Sequence, residues 1–235
     1  MTPPPLLAMR WHDLLFAHWP MPATALRPLV PRALDIDEFD GTAWLGIVPF
    51  RMTHVRPLAI PLPGDAVAYA EVNVRTYVTG PDGRRGVWFL SLDGEDRAAA
   101  LAARTVFGIE YRFARVRIAT DADGHRFASR RTGPRPRVLR AAYAPAGPVR
   151  LAAPGTLDAF LTDRLSLYGV RFGRLLRGDI EHAAWPLQPA VATIDANTMA
   201  SSFGLELPAE PPLLRFARRI DVVAHRPVVV GRAGT

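Results

Sequence analysis

The chain has 235 residues, of which 49% are hydrophobic and 22% charged, an ordinary composition for a globular protein. All 29 basic side chains are arginines, and the chain contains neither lysine nor cysteine. An imine to a substrate carbonyl needs an amine that can lose its proton, which a guanidinium does not do in proteins. The composition therefore excludes Schiff-base chemistry, thiolate catalysis, disulfides and thiolate metal sites.

The net charge of +7 raises the question of nucleic-acid binding. Six arginines cluster between Arg126 and Arg140, but prolines and glycine interrupt them, and the cluster lacks the series of aromatic residues that single-strand binders use. We therefore expect a solvated surface and no nucleic-acid partner. No stretch approaches about 18 uninterrupted apolar residues, so we expect no membrane span, and the absence of cysteine favours the cytoplasm.

The first half of the chain predicts strands separated by proline-rich turns. We expect a strand over 11–19, a short helix over 23–30, a polar turn over 35–41, a strand over 42–51, an extended loop over 57–64, strands over 67–78 and 86–92, and a helix over 94–107. Pro49 indicates a bulge or a sheet edge within its strand, because proline has no N–H to donate. Gly80-Pro-Asp-Gly83 is a turn sequence that makes the two later strands a hairpin.

The second half continues the strand pattern. We expect strands over 111–119, 125–131 and 137–144, a short helix over 156–163 capped by Thr156, strands over 165–172, 174–184 and 187–193, one or two helical turns over 197–203, and a last strand over 220–225. The strands far outnumber the three or four short helices, which predicts an α+β fold. Its main element is a large, curved, mainly antiparallel β-sheet or barrel with peripheral helices.

We find no internal repeat and no long polar linker, so we expect a single domain over 1–235. Its core spans about 9–225, and residues 1–8 and 230–235 are expected to be flexible. Edge strands of such a sheet need covering, which favours a homodimer.

One strand carries the most informative residues for function. Glu71, Asn73 and Arg75 alternate along 67–78 and share a face with Tyr77, whereas the opposite face is small and β-branched. A solvated row of polar side chains is the alternative, but the apolar opposite face indicates that both sides are covered. A buried carboxyl, amide and guanidinium would form a polar pocket for a small carboxylate or carbonyl compound, with Arg75 binding the anion.

Two further side chains are expected near this pocket. Arg51 follows the Pro49 irregularity and is predicted to reach the same space, and Trp88 on the partner strand completes the predicted substrate-binding set. The six histidines are scattered without the spacing of a metal site. Glycine-rich phosphate loops and nucleophile elbows are absent from the sequence as well, so we predict no metal and no cofactor.

Several blocks, in order, resemble the YqjF-like family, a bacterial family of unknown function. They include His12-Asp-Leu-Leu-Phe-Ala-His-Trp-Pro, Val48-Pro-Phe-Arg, Glu71-Val-Asn-Val-Arg-Thr-Tyr-Val, Gly86-Val-Trp-Phe-Leu-Ser-Leu-Asp, Leu161-Thr-Asp-Arg, Trp185-Pro-Leu-Gln-Pro-Ala and Arg218-Arg-Ile-Asp-Val. The resemblance covers about residues 9–225. It implies the fold of acetoacetate decarboxylase, whose early helix and turn are similar to Ala25-Leu-Arg-Pro-Leu-Val-Pro-Arg-Ala-Leu-Asp-Ile-Asp.

The same resemblance implies that the decarboxylase's reactive lysine would fall near Tyr111 or Arg112, neither of which can form an imine. We therefore expect a cavity protein that binds, and acts by acid–base chemistry on, a small carboxylate or carbonyl metabolite. Glu71 would be its acid or base, and Tyr111 would donate a hydrogen bond to a developing oxyanion. The alternatives are a partner-binding or structural module and, less favoured, an arginine-driven nucleic-acid binder.

Overall fold

Strands dominate the computed structural model, which describes residues 3–58, 68–131, 133 and 136–234. The first seven strands are β1 (Pro5–Met21), β2 (Asp35–Ile36), β3 (Ala43–Pro57), β4 (Tyr69–Thr79), β5 (Arg85–Gly94), β6 (Tyr111–Phe113) and β7 (Arg115–Asp121). The others are β8 (Gly124–Arg131), β9 (Arg137–Pro145), β10 (Ser166–Arg171), β11 (Arg174–His182), β12 (Leu187–Asn197), β13 (Leu213–His225) and β14 (Val228–Arg232).

The helices are short. They are α1 (Ala23–Leu26), continued by a 3-10 turn over Arg27–Leu29, α2 (Arg97–Ala102), continued by a π-helical turn over Ala103–Phe107, α3 (Leu157–Thr162), and a 3-10 turn over Ser201–Phe203. Thr156 accepts a hydrogen bond from the Ala159 N–H and so caps α3, as its sequence predicts. Within the described residues, no helix is long and apolar enough to span a membrane.

Seven strands close into a ring. They pair in the order β11-β10-β5-β4-β3-β1-β13, and β13 pairs again with β11 through Ile180 with Ala224 and His182 with Val222. All pairs in the ring are antiparallel except β5 with β10, which run parallel. A ring of about this many strands leaves an interior that side chains fill, with room for one small ligand at most.

A second layer covers one outer side of the ring. From β13 the sheet continues through β12, β9, β8 and β7, and this part folds over the outer face of β4. Ala70, Val72 and Val74 of β4 pack there against a core that includes Phe127 and Leu139. Apolar burial of this kind stabilises the fold by roughly 25 cal/mol per Å². Both faces of β4 are therefore covered, which explains why its outer face is small and β-branched.

An irregularity in β1 accommodates Pro49. Between the pairs His12–Arg51 and Ala17–Ile47, β1 has four residues and β3 has three. The extra residue of β1 forms a β-bulge opposite Pro49. Asp13 at this bulge has a φ of 54°, and Tyr143 donates a hydrogen bond to its carbonyl oxygen at 2.8 Å. The bulge is therefore in β1, opposite Pro49, and not in the strand of Pro49 itself, and β3 is an interior strand and not a sheet edge.

Other expectations need correction. The described residues contain fourteen strands, more than expected, because short pairings such as β2, β6 and β14 carry no sequence periodicity of their own. Strands begin at Pro5 and end at Arg232, so part of each chain end that we expected to be flexible is paired in the sheet. The loop expected over 57–64 lies mostly outside the described residues, as do Val67 and Arg135.

The arginine cluster does not form one continuous face in the described structure. Arg126 and Arg130 are exposed, but Arg131 turns inward to pair with the fully buried Asp93. Arg137 is also buried, and burial lowers the pKa of its guanidinium to about 10. The cluster is therefore divided between the interior and the exposed face of β8 and β9, which carries Arg126, Arg130 and Arg140.

Candidate functional site

A cavity of about 150 Å³ lies inside the ring. Side chains of β1, β3, β4, β5, β10 and β11 line it, together with the helical turn that ends at Phe107. Most of the lining is apolar, with Phe16, Phe50 and Trp185 among the aromatic contributors. A cavity of about this volume accepts a molecule of benzene's size. The ring therefore offers a site for a compound of roughly six heavy atoms.

The polar face of β4 points into this cavity. Tyr69, Glu71, Asn73 and Arg75 all line it, as strand alternation predicts. Glu71 and Asn73 are only 3% and 5% exposed, and the Asn73 carbonyl oxygen is buried without a hydrogen-bond partner in the described structure. Buried polar groups are normally hydrogen-bonded. This amide oxygen is therefore available to accept a hydrogen bond at the cavity wall.

Gly94, which has no side chain, leaves room for Tyr111 to lie next to Glu71. Gly94 pairs with Glu71 across β5 and β4, and a Cβ on Gly94 would lie 2.2 Å from the Tyr111 hydroxyl oxygen. The phenol therefore fills the space that any other residue at 94 would occupy. Tyr111 Oη is buried and makes no hydrogen bond of regular geometry with any described residue. It still lies near enough to favour the ionised carboxylate of Glu71, which lowers the pKa of that group against the effect of burial.

Glu71 is protonated at neutral pH. Burial, together with the nearby Asp93 carboxylate, raises the pKa of Glu71 to about 8, despite the opposing hydrogen-bonding effect of Tyr111. Burial also raises the pKa of Tyr111 above its ordinary value, so the phenol keeps its proton. The cavity therefore presents two O–H groups side by side at neutral pH.

Arg75 supplies positive charge at the other end of the row. It donates a hydrogen bond of 3.3 Å to the Leu161 carbonyl oxygen, and its guanidinium lies over the rings of Phe16 and Tyr77. Among the described residues, no carboxylate forms an ion pair with Arg75, and its Nε is buried without a partner. A partly buried cation without a counter-ion favours an anion in the space beside it.

A second arginine, which the sequence did not predict, lies at the same cavity. Arg164 is 5% exposed and donates to the Phe160 carbonyl oxygen at 2.6 Å and to Asp37 at 2.5 Å. Its Nη2 is buried without a partner among the described residues. Its guanidinium lies 5.0 Å from the centroid of the Tyr77 ring, over which Arg75 also lies. Two guanidinium groups thus converge on one end of the site.

His182 is another unpredicted polar residue of the cavity wall. Its Nδ1 lies 2.7 Å from the Ala183 carbonyl oxygen, and its ring packs 4.9 Å from the Trp185 ring. Trp185 in turn donates to the Thr162 carbonyl oxygen at 2.9 Å. Burial lowers the pKa of His182, so its imidazole is neutral near pH 7. In the sequence, Arg164 falls within one family-like block, and His182 lies three residues before another block, which begins at Trp185.

Three predicted site residues do not line the cavity: Arg51, Trp88 and Tyr77. Arg51 pairs with Ala70 and is exposed on the outer face of the sheet, because Phe50 and not Arg51 is opposite Glu71. Trp88 is absent from the cavity lining and donates to the Leu29 carbonyl oxygen at 2.9 Å.

Tyr77 is on the inward face of β4 but beyond the end of the cavity. It is fully buried, and its hydroxyl lies 2.6 Å from His18 Nε2. Tyr77 therefore supports the two arginines and does not line the site. Within the described parts of the chain, no group of three His, Asp or Glu side chains could hold a metal ion.

Comparison with known families agrees with this architecture. Residues 8–221 match the model of the DUF2071 family, described as an uncharacterized conserved protein. YqjF of Bacillus subtilis strain 168, an uncharacterized protein, is 38% identical over 218 residues, which are 93% of this chain and 90% of YqjF. The chain belongs to the DUF2071 family. This confirms the resemblance to the YqjF-like family seen in the sequence blocks.

Solved structures establish the fold. The enduracididine biosynthesis enzyme MppR, complexed with pyruvate, matches with a TM-score of 0.67 at 15% identity, over 99% of this chain and 92% of that protein. Acetoacetate decarboxylase of Legionella pneumophila matches with a TM-score of 0.66 at 14% identity, over 99% and 90% of the two chains. The acetoacetate-decarboxylase-like enzyme of Sphingomonas wittichii RW1 gives a TM-score of 0.65 at 14% identity, over 97% and 94%. The DUF2071 chain therefore has the acetoacetate-decarboxylase-like fold, as predicted.

Proposed function

We propose that the protein binds a small carboxylate that also carries a carbonyl group, and that Glu71 exchanges a proton with it. The observation that carries the proposal is the cavity of about 150 Å³, with Glu71 and Arg75 on one strand of its wall. Its volume selects compounds of pyruvate's size over nucleotides, sugars or peptides. A solved protein of the same fold contains pyruvate, which is a compound of this class.

Charge favours an acid over a neutral compound. Arg75 has no ion-pair partner in the described structure, and Arg164 shares the Asp37 carboxylate with Arg85. With Glu71 protonated, the cavity wall carries excess positive charge in surroundings of low dielectric constant. A ligand carboxylate would neutralise this charge through hydrogen bonds with the guanidinium groups.

The neutral carboxyl and phenol suit a carbonyl oxygen. Both Glu71 and Tyr111 carry O–H groups at neutral pH and lie next to each other. Two O–H donors would stabilise the negative charge that develops on a carbonyl oxygen when a neighbouring carbon loses a proton. The chemistry proceeds without an imine, because the chain has no lysine. Schiff-base decarboxylation is therefore not part of the proposal.

A thermal-shift screen tests this function. The purified protein is heated with pyruvate, 2-oxobutyrate and propionate, and with acetone as the uncharged comparison. A ligand at 100 times its dissociation constant adds about 2.7 kcal/mol of stability, which for a chain of this size is a shift of roughly 5–10 °C. We expect the oxo acids to give this shift and acetone to give none.

Two variants make the screen specific. Arg75→Met should abolish the shift, whereas Arg51→Met removes an arginine from the outer face of the same region and should leave it unchanged. A shift that survives in Arg75→Met would place the anion elsewhere. No shift with any acid would refute the proposal and favour a partner-binding role.

A further inference from the structure

Glu71 and His182 occupy opposite walls of the cavity. In the ring of seven strands, β11 is reached from β4 through β5 and β10 on one side, and through β3, β1 and β13 on the other. β4 and β11 are therefore as far apart around the ring as its closure allows. Both side chains line the cavity. A ligand that fills this small space lies between the carboxyl group and the imidazole.

The hydrogen bond of His182 fixes which nitrogen is available. A carbonyl oxygen only accepts hydrogen bonds, so Nδ1, at 2.7 Å from the Ala183 oxygen, carries the proton. In the neutral ring Nε2 then has a free lone pair. Nε2 is buried and has no hydrogen-bond partner among the described residues. Packing against Trp185 holds the ring in this orientation.

The Glu71 carboxyl and the His182 imidazole are in complementary protonation states. Burial raises the pKa of Glu71 and lowers that of His182, so at neutral pH the carboxyl has a proton to give and the imidazole can take one. Pairs of groups whose pKa values are moved in opposite directions commonly act as acid and base in one reaction.

We propose that His182 is a second catalytic residue, the base that acts opposite Glu71 on a bound oxo acid. This rests on the proposed function of the cavity. His182 Nε2 takes a proton from the carbon next to the carbonyl, and that C–H bond breaks. Its electron pair forms a C=C bond as the C=O π bond opens, and the oxygen takes the proton of Glu71. The products are the enol, an imidazolium and a carboxylate, so charge and atoms balance.

The reverse step returns a proton to carbon, so the pair would catalyse enolisation and exchange of the hydrogens next to the carbonyl. This assigns the site to proton-transfer reactions, such as isomerisation of oxo acids, and not to cleavage of a carboxylate. General acid–base catalysis by a positioned side chain contributes roughly 10²–10⁴-fold to a rate.

Deuterium exchange measures this directly. Pyruvate is incubated with the protein in D₂O, and proton NMR follows the loss of its methyl signal above the rate in buffer. We expect exchange with the wild type and a fall of about 10²-fold or more in His182→Gln, in line with the usual contribution of a general base. The pyruvate-induced thermal shift should persist in that variant. His12→Gln, which removes a histidine outside the cavity, should exchange like the wild type.

The outcomes separate this inference from the proposed function. Unchanged exchange in His182→Gln, or binding of pyruvate by the wild type without exchange, overturns the role of His182 and leaves the binding site standing. Absence of binding by the wild type overturns both. If His182→Gln does not fold, the nitrogen-15 spectrum of wild-type histidines decides. A neutral ring protonated on Nδ1, whose Nε2 signal moves when pyruvate is added, supports the assignment, and a ring protonated on Nε2 contradicts it.

Discussion

Replacing Glu71 with glutamine should remove a large part of the pH dependence of stability. The pKa of this carboxyl is raised from 4.5 to about 8 in the folded chain, chiefly by burial. Between these two values the unfolded chain has lost the proton that the folded chain still holds. The unfolded state then binds fewer protons, so stability falls as pH rises through this window and the loss is complete above about pH 8.

The size of the effect follows from the shift. Each unit of pKa difference corresponds to about 1.4 kcal/mol, so a rise from 4.5 to about 8 costs at most about 5 kcal/mol at alkaline pH. The amide of Glu71→Gln has nearly the same shape and does not titrate. The variant should therefore be less affected by alkaline pH than the wild type, and its relative stability should increase steadily with pH.

Urea unfolding at about pH 5, 7 and 9 measures this difference, since the slope against urea also reports whether unfolding stays two-state. All other titrating groups are shared by the two proteins and cancel. The infrared carbonyl band of a protonated carboxyl should also be present at pH 7 in the wild type and missing in the variant. A stability difference that does not change with pH would refute the raised pKa and, with it, the assignment of Glu71 as a neutral acid.

Two further predictions concern the groups around Glu71. In Gly94→Ala the new Cβ would lie 2.2 Å from the Tyr111 oxygen, so the phenol must move; overpacking of this kind costs about 1–3 kcal/mol in urea unfolding, and an unchanged stability would show that Tyr111 is not held there. Asp93→Asn leaves Arg131 without its buried counter-ion and should cost about 3–5 kcal/mol, while the pKa of Glu71 should fall because a nearby negative charge is gone. Intact stability in this variant would mean that the ion pair contributes little.

Strand alternation predicted the central row of the site. The small, β-branched residues opposite Glu71, Asn73 and Arg75 indicated that a second layer covers β4, and the structure places that layer there. Tyr111 was placed at the site by the resemblance to the decarboxylase, whose reactive lysine would fall near it. The row on β4 could be predicted because alternation of side chains depends on one strand alone.

The errors at Trp88 and Arg51 concern the register of the strands. This register is determined by the pairing between strands and cannot be read from the sequence of one strand. Counting back in twos from Leu92 would put Trp88 on the cavity face, but an irregularity in the pairing of β5 with β4 shifts the alternation so that Phe89 faces the cavity. Arg51 is misplaced by one residue for the same kind of reason.

Arg164 and His182 could not be placed at all. They reach the cavity only because β10 and β11 close the ring far along the chain from β4. No local pattern in the sequence encodes such a long-range contact.

A crystal structure of the protein soaked with pyruvate tests the central claim most directly. We predict electron density for one pyruvate molecule inside the ring, with its carboxylate at hydrogen-bond distance from the Arg75 guanidinium and its carbonyl oxygen facing Glu71 and Tyr111. Density on the outer arginines such as Arg51, with the cavity unchanged, would contradict the account.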